Sequence, residues 1–263
     1  MPPPRPPRFH TEHIDLLTLQ RRGTESERQR MAERMFAVWQ PLFAHLADKD
    51  PSFHRARHVE DTSASYLRAS FFRVGGVDRG LMIARLHEHR DRGLRFARMT
   101  FNAGVHQELR GTNAVGPTVV RTILHGIAAA PRRPLFLVDV VASLAAWRAL
   151  HKPFPWLLPS PAGAIPDAWW PVALAGAEAL HCTPIEGRPR GIVRSQIVMA
   201  EGAGDIARAA SPEAARLDAW YRSFVRPGES LLVVAPVTAW GGVSSIGAWL
   251  ARVARHALGG RSP

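Results

Sequence analysis

The stretch LRFARMTFNAGVHQELRGTNAVG, residues 94–116, decides the fold. Its first half is a short apolar segment, which predicts a strand over 94–105. Its second half is polar and contains glycines, and a helical pattern, VVRTILHGIAAA, follows at 119–130. A strand that runs through a turn to the start of a helix presents unpaired backbone N–H groups. Together with the helix dipole, these groups bind anions such as a diphosphate.

Two apolar segments before this stretch predict further strands, ASFFRV from residue 69 and LMIARLHEH from residue 81. The turn-rich stretches GGVDRG and RDRG separate the three segments, so we expect the strands to form an antiparallel meander. Earlier in the chain, HIDLLTLQ at 13–20 has the short apolar run of a first strand.

A helix is expected between that first strand and the meander. Thr24, followed three residues later by Glu27, forms a capping box that predicts the start of the helix. Pro41 is expected to kink it. The apolar residues that recur at helical spacing are Met31, Met35, Val38, Leu42 and Leu46.

After the meander, PLFLVDVV at 134–141 is continuously apolar, which is typical of a strand buried on both faces. ASLAAWRAL then restores helical spacing, so the predicted order is β, α, three antiparallel β, α, β, α. The remainder contains a proline-dense stretch around 153–190. The elements predicted in the remainder of the chain are a helix at 167–181, a strand at 191–202, a helix from Ser211–Pro212, a strand at 231–238 and a helix at 244–258.

Length and composition favour one globular domain. The chain has 263 residues, of which 46% are hydrophobic, so it can bury a large core. We expect a Pro/Arg-rich tail at 1–10 and a single domain at 11–263 with a Pro/Trp-rich insertion around 153–190. The single cysteine, Cys182, cannot form an internal disulfide, and the first residues have no apolar signal segment. These features predict a cytoplasmic protein.

The charge of +12 suggests an acidic partner, and candidates are an acyl carrier protein and an anionic membrane surface. Nucleic acid is disfavoured, because the arginines are scattered and no basic run with interleaved aromatic residues occurs. Residues 231–250 are uncharged, but Pro236 and paired glycines and serines predict a strand, a turn and a helix start instead of a membrane span. A homo-oligomer is also compatible with the sequence.

Two segments resemble the GNAT acyltransferase family. VHQELRGTNAVG at 105–116 is similar to the family's pyrophosphate-binding segment, commonly VHPEYRGKGIG, and SLAAWRALHKPF at 143–154 is similar to its fourth-helix segment, NERAIRLYEKLGF. The predicted element order is also that of the family. The resemblance covers residues 69–154 and implies an α/β (α+β) fold, with a mixed, mostly antiparallel central sheet flanked by helices.

The resemblance implies a transferase that moves an acyl group from a thioester to an amine or hydroxyl on a small-molecule acceptor. The donor co-substrate would be acyl-CoA or an acyl carrier protein, with no covalently bound cofactor, and backbone N–H groups near Val105 would polarise the thioester carbonyl. The implied donor-binding residues are Val105, Arg110, Gly111, Thr112, Asn113, Ala114, Val115, Gly116 and Ser143.

Three residues are candidates for proton transfer. His106 lies at the end of the strand that would face the thioester, and histidine titrates near neutral pH, so it is the predicted base. Asp139 lies within an apolar strand, where burial commonly shifts the pKa of a carboxyl group. The alternative role for Asp139, slightly favoured by the sequence, is that of a hydrogen-bonded residue at a strand end. The family's tyrosine, often the acid for the departing thiolate, falls at Leu150, which cannot donate a proton. Water or His151 would then protonate the thiolate, or the thiolate would leave unprotonated.

The other interpretations are a metal site and two functions without catalysis. His87 and His89 project from the same face of a predicted strand, but no third ligand is evident, so we expect exposed histidines and no metal. The glycine pair of the family's loop is replaced by Asn113, Ala114 and Val115. This change, together with the missing tyrosine, suggests the alternative of a GNAT-shaped binding or scaffold protein without catalysis. A peripheral membrane protein that uses a basic C-terminal helix is the third alternative.

Overall fold

The protein contains an eight-stranded sheet with helices on both faces. The sheet is seen in a computed structural model that describes residues 8–91, 93–110, 112, 114–129, 133–151, 154–197 and 212–237. The strand order is β1-β2-β3-β4-β5-β8-β7-β6, and every neighbouring pair is antiparallel except β4 and β5. The predicted fold class, a mixed and mostly antiparallel sheet flanked by helices, is confirmed. The strands are β1 Phe9–Asp15, β2 Ala64–Val74, β3 Val77–Asp91, β4 Leu94–Val105, β5 Leu135–Val141, β6 Thr183–Pro184, β7 Ile192–Arg194 and β8 Ser230–Pro236.

The helices pack on both faces because successive strand residues alternate between them. Phe72 and Met82 face the side covered by α4, α5 and α7, whereas Phe71 and Leu81 face α1 and α2. Further along this second face, Phe96 packs among residues of α6. The helices are α1 Leu16–Arg22, α2 Glu25–Trp39, α3 Pro51–His54, α4 Gly116–Ala129, α5 Leu144–His151, α6 Trp170–Ala179 and α7 Pro212–Phe224.

The N-terminal strand differs from its prediction. The strand expected at 13–20 is wrong, because β1 ends at Asp15 and α1 begins at Leu16. The Asp15 carboxylate accepts hydrogen bonds from the backbone N–H groups of Leu17 and Thr18, so it caps the helix. The strand also begins at Phe9, which places residues 9 and 10 in the sheet and not in the expected tail.

The second helix begins as predicted and ends earlier than predicted. The reciprocal hydrogen bonds of the capping box between Thr24 and Glu27 are present. The α-helix ends at Trp39, and Pro41 lies in a short 3-10 turn, so the chain turns instead of continuing as one kinked helix. Leu42 and Leu46 nevertheless remain buried in the core beneath α2.

The meander and the elements that follow it are confirmed as β2, β3, β4, α4, β5 and α5. Past residue 154, α6, α7 and β8 match predicted elements, whereas only Ile192–Arg194 of the strand expected at 191–202 is a strand among the described residues. The helix predicted at 244–258 lies outside the described residues. No helix in the described ranges is long and apolar enough to cross a membrane.

Candidate active site

The parallel strands β4 and β5 separate after a short contact. They pair only where Ala97–Met99 faces Leu135–Leu137. Beyond this contact, β5 continues along β8 and β4 continues along β3, and a cavity of about 650 Å³ opens between them. Its walls include residues 101–105 of β4 and 139–143 of β5 and the turn after it. The separation of the strands therefore creates a cavity that is large enough to hold a small-molecule ligand.

Backbone N–H groups of β4 point into this cavity. The N–H of Ala97 donates to the Pro134 carbonyl at 2.9 Å, on the side of β5, whereas the N–H of His106 donates to the Arg79 carbonyl at 2.8 Å, on the side of β3. N–H direction alternates along a strand, so the N–H groups of Ala103 and Val105 point toward the cavity. On the side that faces away from β3, no described strand pairs with β4 at these positions, because the pairing with β5 covers only residues 97–99. Both groups are placed to donate to a ligand oxygen.

Asp139 lies at the point where the two strands separate. Its carboxylate accepts hydrogen bonds from the backbone N–H groups of Phe101, at 2.9 Å, and of Val140, at 2.8 Å. The side chain is buried and lines the cavity. Burial raises the pKa of Asp139 to about 7, although the two hydrogen bonds and the charges of Arg85 and Arg98 lower it. A pKa in this range is the one that suits a general acid or base at neutral pH.

The other two predicted catalytic residues do not line the cavity. The Nε2 atom of His106 lies 3.2 Å from the carbonyl oxygen of Val38, a hydrogen-bond distance. His151 stacks on Trp147, with ring centroids 4.5 Å apart, and burial lowers its pKa. Leu150, the residue at the family's tyrosine position, does line the cavity. The structure thus brings Asp139, but neither histidine, to the cavity wall.

The predicted donor-binding segment reaches the cavity through three residues, Val105, Arg110 and Val115. The helix α4 begins at Gly116 immediately after them, and Pro117 removes one of the N–H groups at its start. Gly111 and Asn113 lie outside the described residues.

The remaining predicted donor-binding residues have local structural roles. Ala114 is buried in the core. The Thr112 hydroxyl donates to the Leu109 carbonyl at 2.7 Å. Ser143 lines the cavity, and its hydroxyl accepts from the backbone N–H of Ala146 at 3.2 Å, so it also caps α5.

The sequence predictions missed an aromatic wall contributed by α2 and the segment after it. Both ring nitrogens of His54 are buried and have no hydrogen-bond partner in the described part of the chain. The ring stacks on His58 at 5.2 Å, and burial lowers the pKa of His54 to about 4. A signal was present, because the two histidines are four residues apart after Asp50 and Pro51, a typical helix start. The wall consists of Trp39, Phe43, Phe53, His54 and His58.

The predicted strand histidines are partly buried and not exposed, so that expectation is wrong. His87 Nε2 lies 3.1 Å from an Asp61 carboxylate oxygen, and His89 stacks on Phe96. Within the described ranges, no group of three or more His, Cys, Asp or Glu side chains could hold a metal ion.

No protein-family model and no curated protein matches the sequence. Among solved structures, the chain is similar to a ribosomal-protein-alanine N-acetyltransferase from Brucella melitensis biovar Abortus, with 16% identity, a TM-score of 0.36 and coverage of 61% of this chain and 94% of the other. An aminoglycoside N-acetyltransferase in complex with CoA gives 14% identity, a TM-score of 0.35 and coverage of 57% and 88%. A GNAT-family acetyltransferase from Streptococcus pneumoniae gives 7% identity, a TM-score of 0.35 and coverage of 88% of this chain and 100% of the other. At TM-scores this low, these similarities carry no argument, so the assignment of the fold rests on the sheet order and the separated strands alone.

Proposed function

We propose that the protein is an acyltransferase that moves an acyl group from an acyl-CoA or acyl carrier protein thioester to an amine or hydroxyl. The observation that carries this proposal is the cleft between β4 and β5. It combines the inward-pointing N–H groups of Ala103 and Val105 with the buried carboxyl group of Asp139. Hydrogen-bond donors and a base at one cavity are what the attack of an amine on a thioester needs.

The donor fits the shape and polarity of the cleft. The arm that carries the thioester contains amide groups, which can hydrogen-bond to the unpaired edge of β4 as an added strand would. The diphosphate of CoA would then lie at the start of α4, where backbone N–H groups and the helix dipole favour an anion. Arg110 lines the same cavity and would add a charge-assisted hydrogen bond. Pro117 removes one backbone N–H donor from the start of α4, so a larger share of the diphosphate binding would come from Arg110.

The reaction needs one proton acceptor and no covalent intermediate on the protein. The acceptor amine forms a C–N bond with the thioester carbonyl carbon while the N–H groups of Ala103 and Val105 stabilise the developing oxyanion. Asp139 takes the amine proton as the base. The C–S bond then breaks and the thiolate departs. Leu150 cannot protonate the thiolate, so the thiolate takes a proton from water. His106 as the base and His151 as the acid remain alternative predictions.

A second candidate is a thioester-binding protein without catalysis. One observation favours it: the cavity wall carries the apolar side chain of Leu150 at the position where the resemblance implies a proton-donating tyrosine. Such a protein would bind the donor in the same cleft and leave it intact.

Two measurements on the purified full chain separate these functions. Thermal unfolding with acetyl-CoA and decanoyl-CoA measures donor binding, because a ligand that binds only the folded state raises Tm. Release of free thiol with a panel of amines measures transfer. Both functions predict the rise in Tm, and only the acyltransferase predicts acceptor-dependent thiol release. If neither thioester raised Tm and no thiol appeared, both proposals would be wrong for CoA donors.

A further inference from the structure

A second cavity of about 430 Å³ lies beside the cleft. The two cavities share Arg57, Asn102 and Leu180 as wall residues. Asn102 is adjacent in β4 to Ala103, whose N–H points into the cleft. The second cavity is therefore next to the proposed reaction centre, separated from it by the shared wall residues.

The second cavity contains more cations than anions. The guanidinium groups of Arg57, Arg85 and Arg98 line it, and the carboxylates in its wall are those of Glu60 and Asp61. Glu60 already forms an ion pair of 2.7 Å with Arg55, outside the cavity wall. Asp61 lies 3.5 Å from Arg85, and that carboxylate also hydrogen-bonds to His87. The other two guanidinium groups form no ion pair with a carboxylate among the described residues.

Arg57 and Arg98 are the two groups that form no ion pair with a described carboxylate, although Asp139 and Asp61 act on Arg98 from beyond ion-pair distance. Arg98 is 4% exposed, and its polar contacts are the Gly176 carbonyl at 3.4 Å and the His87 ring at 3.2 Å. Its Nε atom has no hydrogen-bond partner in the described part of the chain. The guanidinium of Arg57 is half-buried, lies 5.7 Å from the Phe53 ring centroid and forms no ion pair with any described carboxylate.

Burial without compensation is unfavourable for a charged group. Burial lowers the pKa of Arg98 to about 10, and burial together with the like charges of Arg57 and Arg98 lowers the pKa of Arg85 to about 9. The hydroxyl of Thr100, also in the wall, is buried and lacks a partner among the described residues. An anion in this cavity would compensate the charges and satisfy these polar atoms together.

We infer that the second cavity binds the carboxylate of the acceptor substrate, which places the amine of the same molecule in the cleft near Asp139. A guanidinium group presents paired N–H donors that match the two oxygens of a carboxylate. The acceptor class is therefore an amino acid or another short aminocarboxylic acid. The identity of the ligand as an acceptor rests on the proposed function, whereas the anion site itself does not.

The binding test compares amino acids with their carboxamides in thermal unfolding. The probes are alanine, phenylalanine and glycine, each against its C-terminal amide, in the presence of saturating CoA. Acids should raise Tm and the matched amides should not. Arg57→Gln should abolish the shift, and Arg57→Lys should keep part of it because the charge remains. Arg190→Gln is the matched control, because Arg190 pairs with Asp167 on the surface and lines neither cavity.

Equal stabilisation by acids and amides, or stabilisation by inorganic phosphate but by no carboxylate, would overturn the inference. Thiol release with the same pairs separates it from the proposed function. We expect kcat/KM for an acid to exceed that for its amide by tenfold or more, and Arg57→Gln to remove this preference mainly through KM. Turnover without any acid preference would refute the carboxylate site and leave the acyltransferase intact. A carboxylate-specific Tm shift without turnover would support the carboxylate site and refute the acyltransferase.

Discussion

The carboxylate of Asp139 on β5 accepts a hydrogen bond from the backbone N–H of Phe101 on β4, at 2.9 Å. A parallel ladder would continue with a backbone carbonyl at this position, and the side-chain oxygen replaces it. The two strands can therefore separate while the N–H of Phe101 remains satisfied. One side chain thus ends the β4–β5 pairing and supplies a titratable group to the cleft that opens.

Replacement of this carboxyl group should separate the candidate bases. Asp139→Asn keeps an oxygen acceptor for Phe101 and removes the proton acceptor, so kcat should fall by about a hundredfold or more. Wild-type kcat should rise with pH through about 7, because burial raises the pKa of Asp139 to about 7 and the base must be ionised. His106→Gln should cost less than about tenfold, because His106 does not line the cavity. The reverse order of losses would make His106 the base.

The same carboxyl group should make stability depend on pH. Its pKa is about 7 in the folded protein and near the ordinary value of 3.8 in the unfolded chain. Between about pH 4 and about pH 7 the carboxyl group is protonated in the folded state and ionised in the unfolded chain. Protonation of Asp139 therefore stabilises the folded state fully below about pH 4, and this contribution is lost as pH rises through about 7. From pH 4 to 8, wild type should lose at least about 1 kcal/mol of unfolding free energy relative to Asp139→Asn, since one pKa unit is worth about 1.4 kcal/mol. Urea denaturation of both proteins measures this, and parallel curves would contradict the assigned pKa.

Arg110 should act on donor affinity more than on the chemical step. A guanidinium beside the start of α4 binds a diphosphate whether or not the thioester is reacting. Arg110→Ala should therefore raise KM for acyl-CoA by about tenfold or more with a smaller change in kcat. Steady-state kinetics at saturating acceptor measure both constants. A fall in kcat at unchanged KM would place Arg110 in the chemical step instead.

Gly104 lets the aromatic wall pack closely against β4, because glycine has no side chain. A Cβ atom at this position would lie 3.0 Å from Leu42 and Phe43 side-chain atoms and 3.1 Å from Trp39, so these side chains would have to move. Gly104→Ala should raise KM for the acceptor several-fold. Gly163→Ala is the matched control, because a Cβ atom there would meet nothing within 4 Å. Equal acceptor KM values in the two variants would show that the wall does not contact the acceptor.

The sequence predicted the elements around the cleft because their signals are local. Apolar spacing is enough to identify β4, α4, β5 and α5, and a carboxylate inside an apolar strand marks Asp139 as buried. The apolar run at 13–20 did not distinguish strand from helix, since the outcome depends on the capping hydrogen bonds of Asp15.

The separation of β4 from β5 and the positions of Arg57 and Arg98 could not be predicted. They depend on which strands pair and on how the segment after α2 packs against the sheet, and neither has a local sequence signal. The i, i+4 spacing of His54 and His58 was visible, but the cavity that gives it meaning is a tertiary feature.

Backbone hydrogen exchange on the full chain, with and without saturating decanoyl-CoA, tests most directly whether the donor binds between β4 and β5. The N–H groups of Ala103 and Val105 point into the cleft and would become hydrogen-bonded to the donor. We predict that decanoyl-CoA slows exchange at Ala103 and Val105, with little change at Phe101, whose N–H is already bonded to Asp139. Unchanged exchange at Ala103 and Val105, under conditions where decanoyl-CoA raises Tm, would contradict the account, because the donor would then be bound elsewhere.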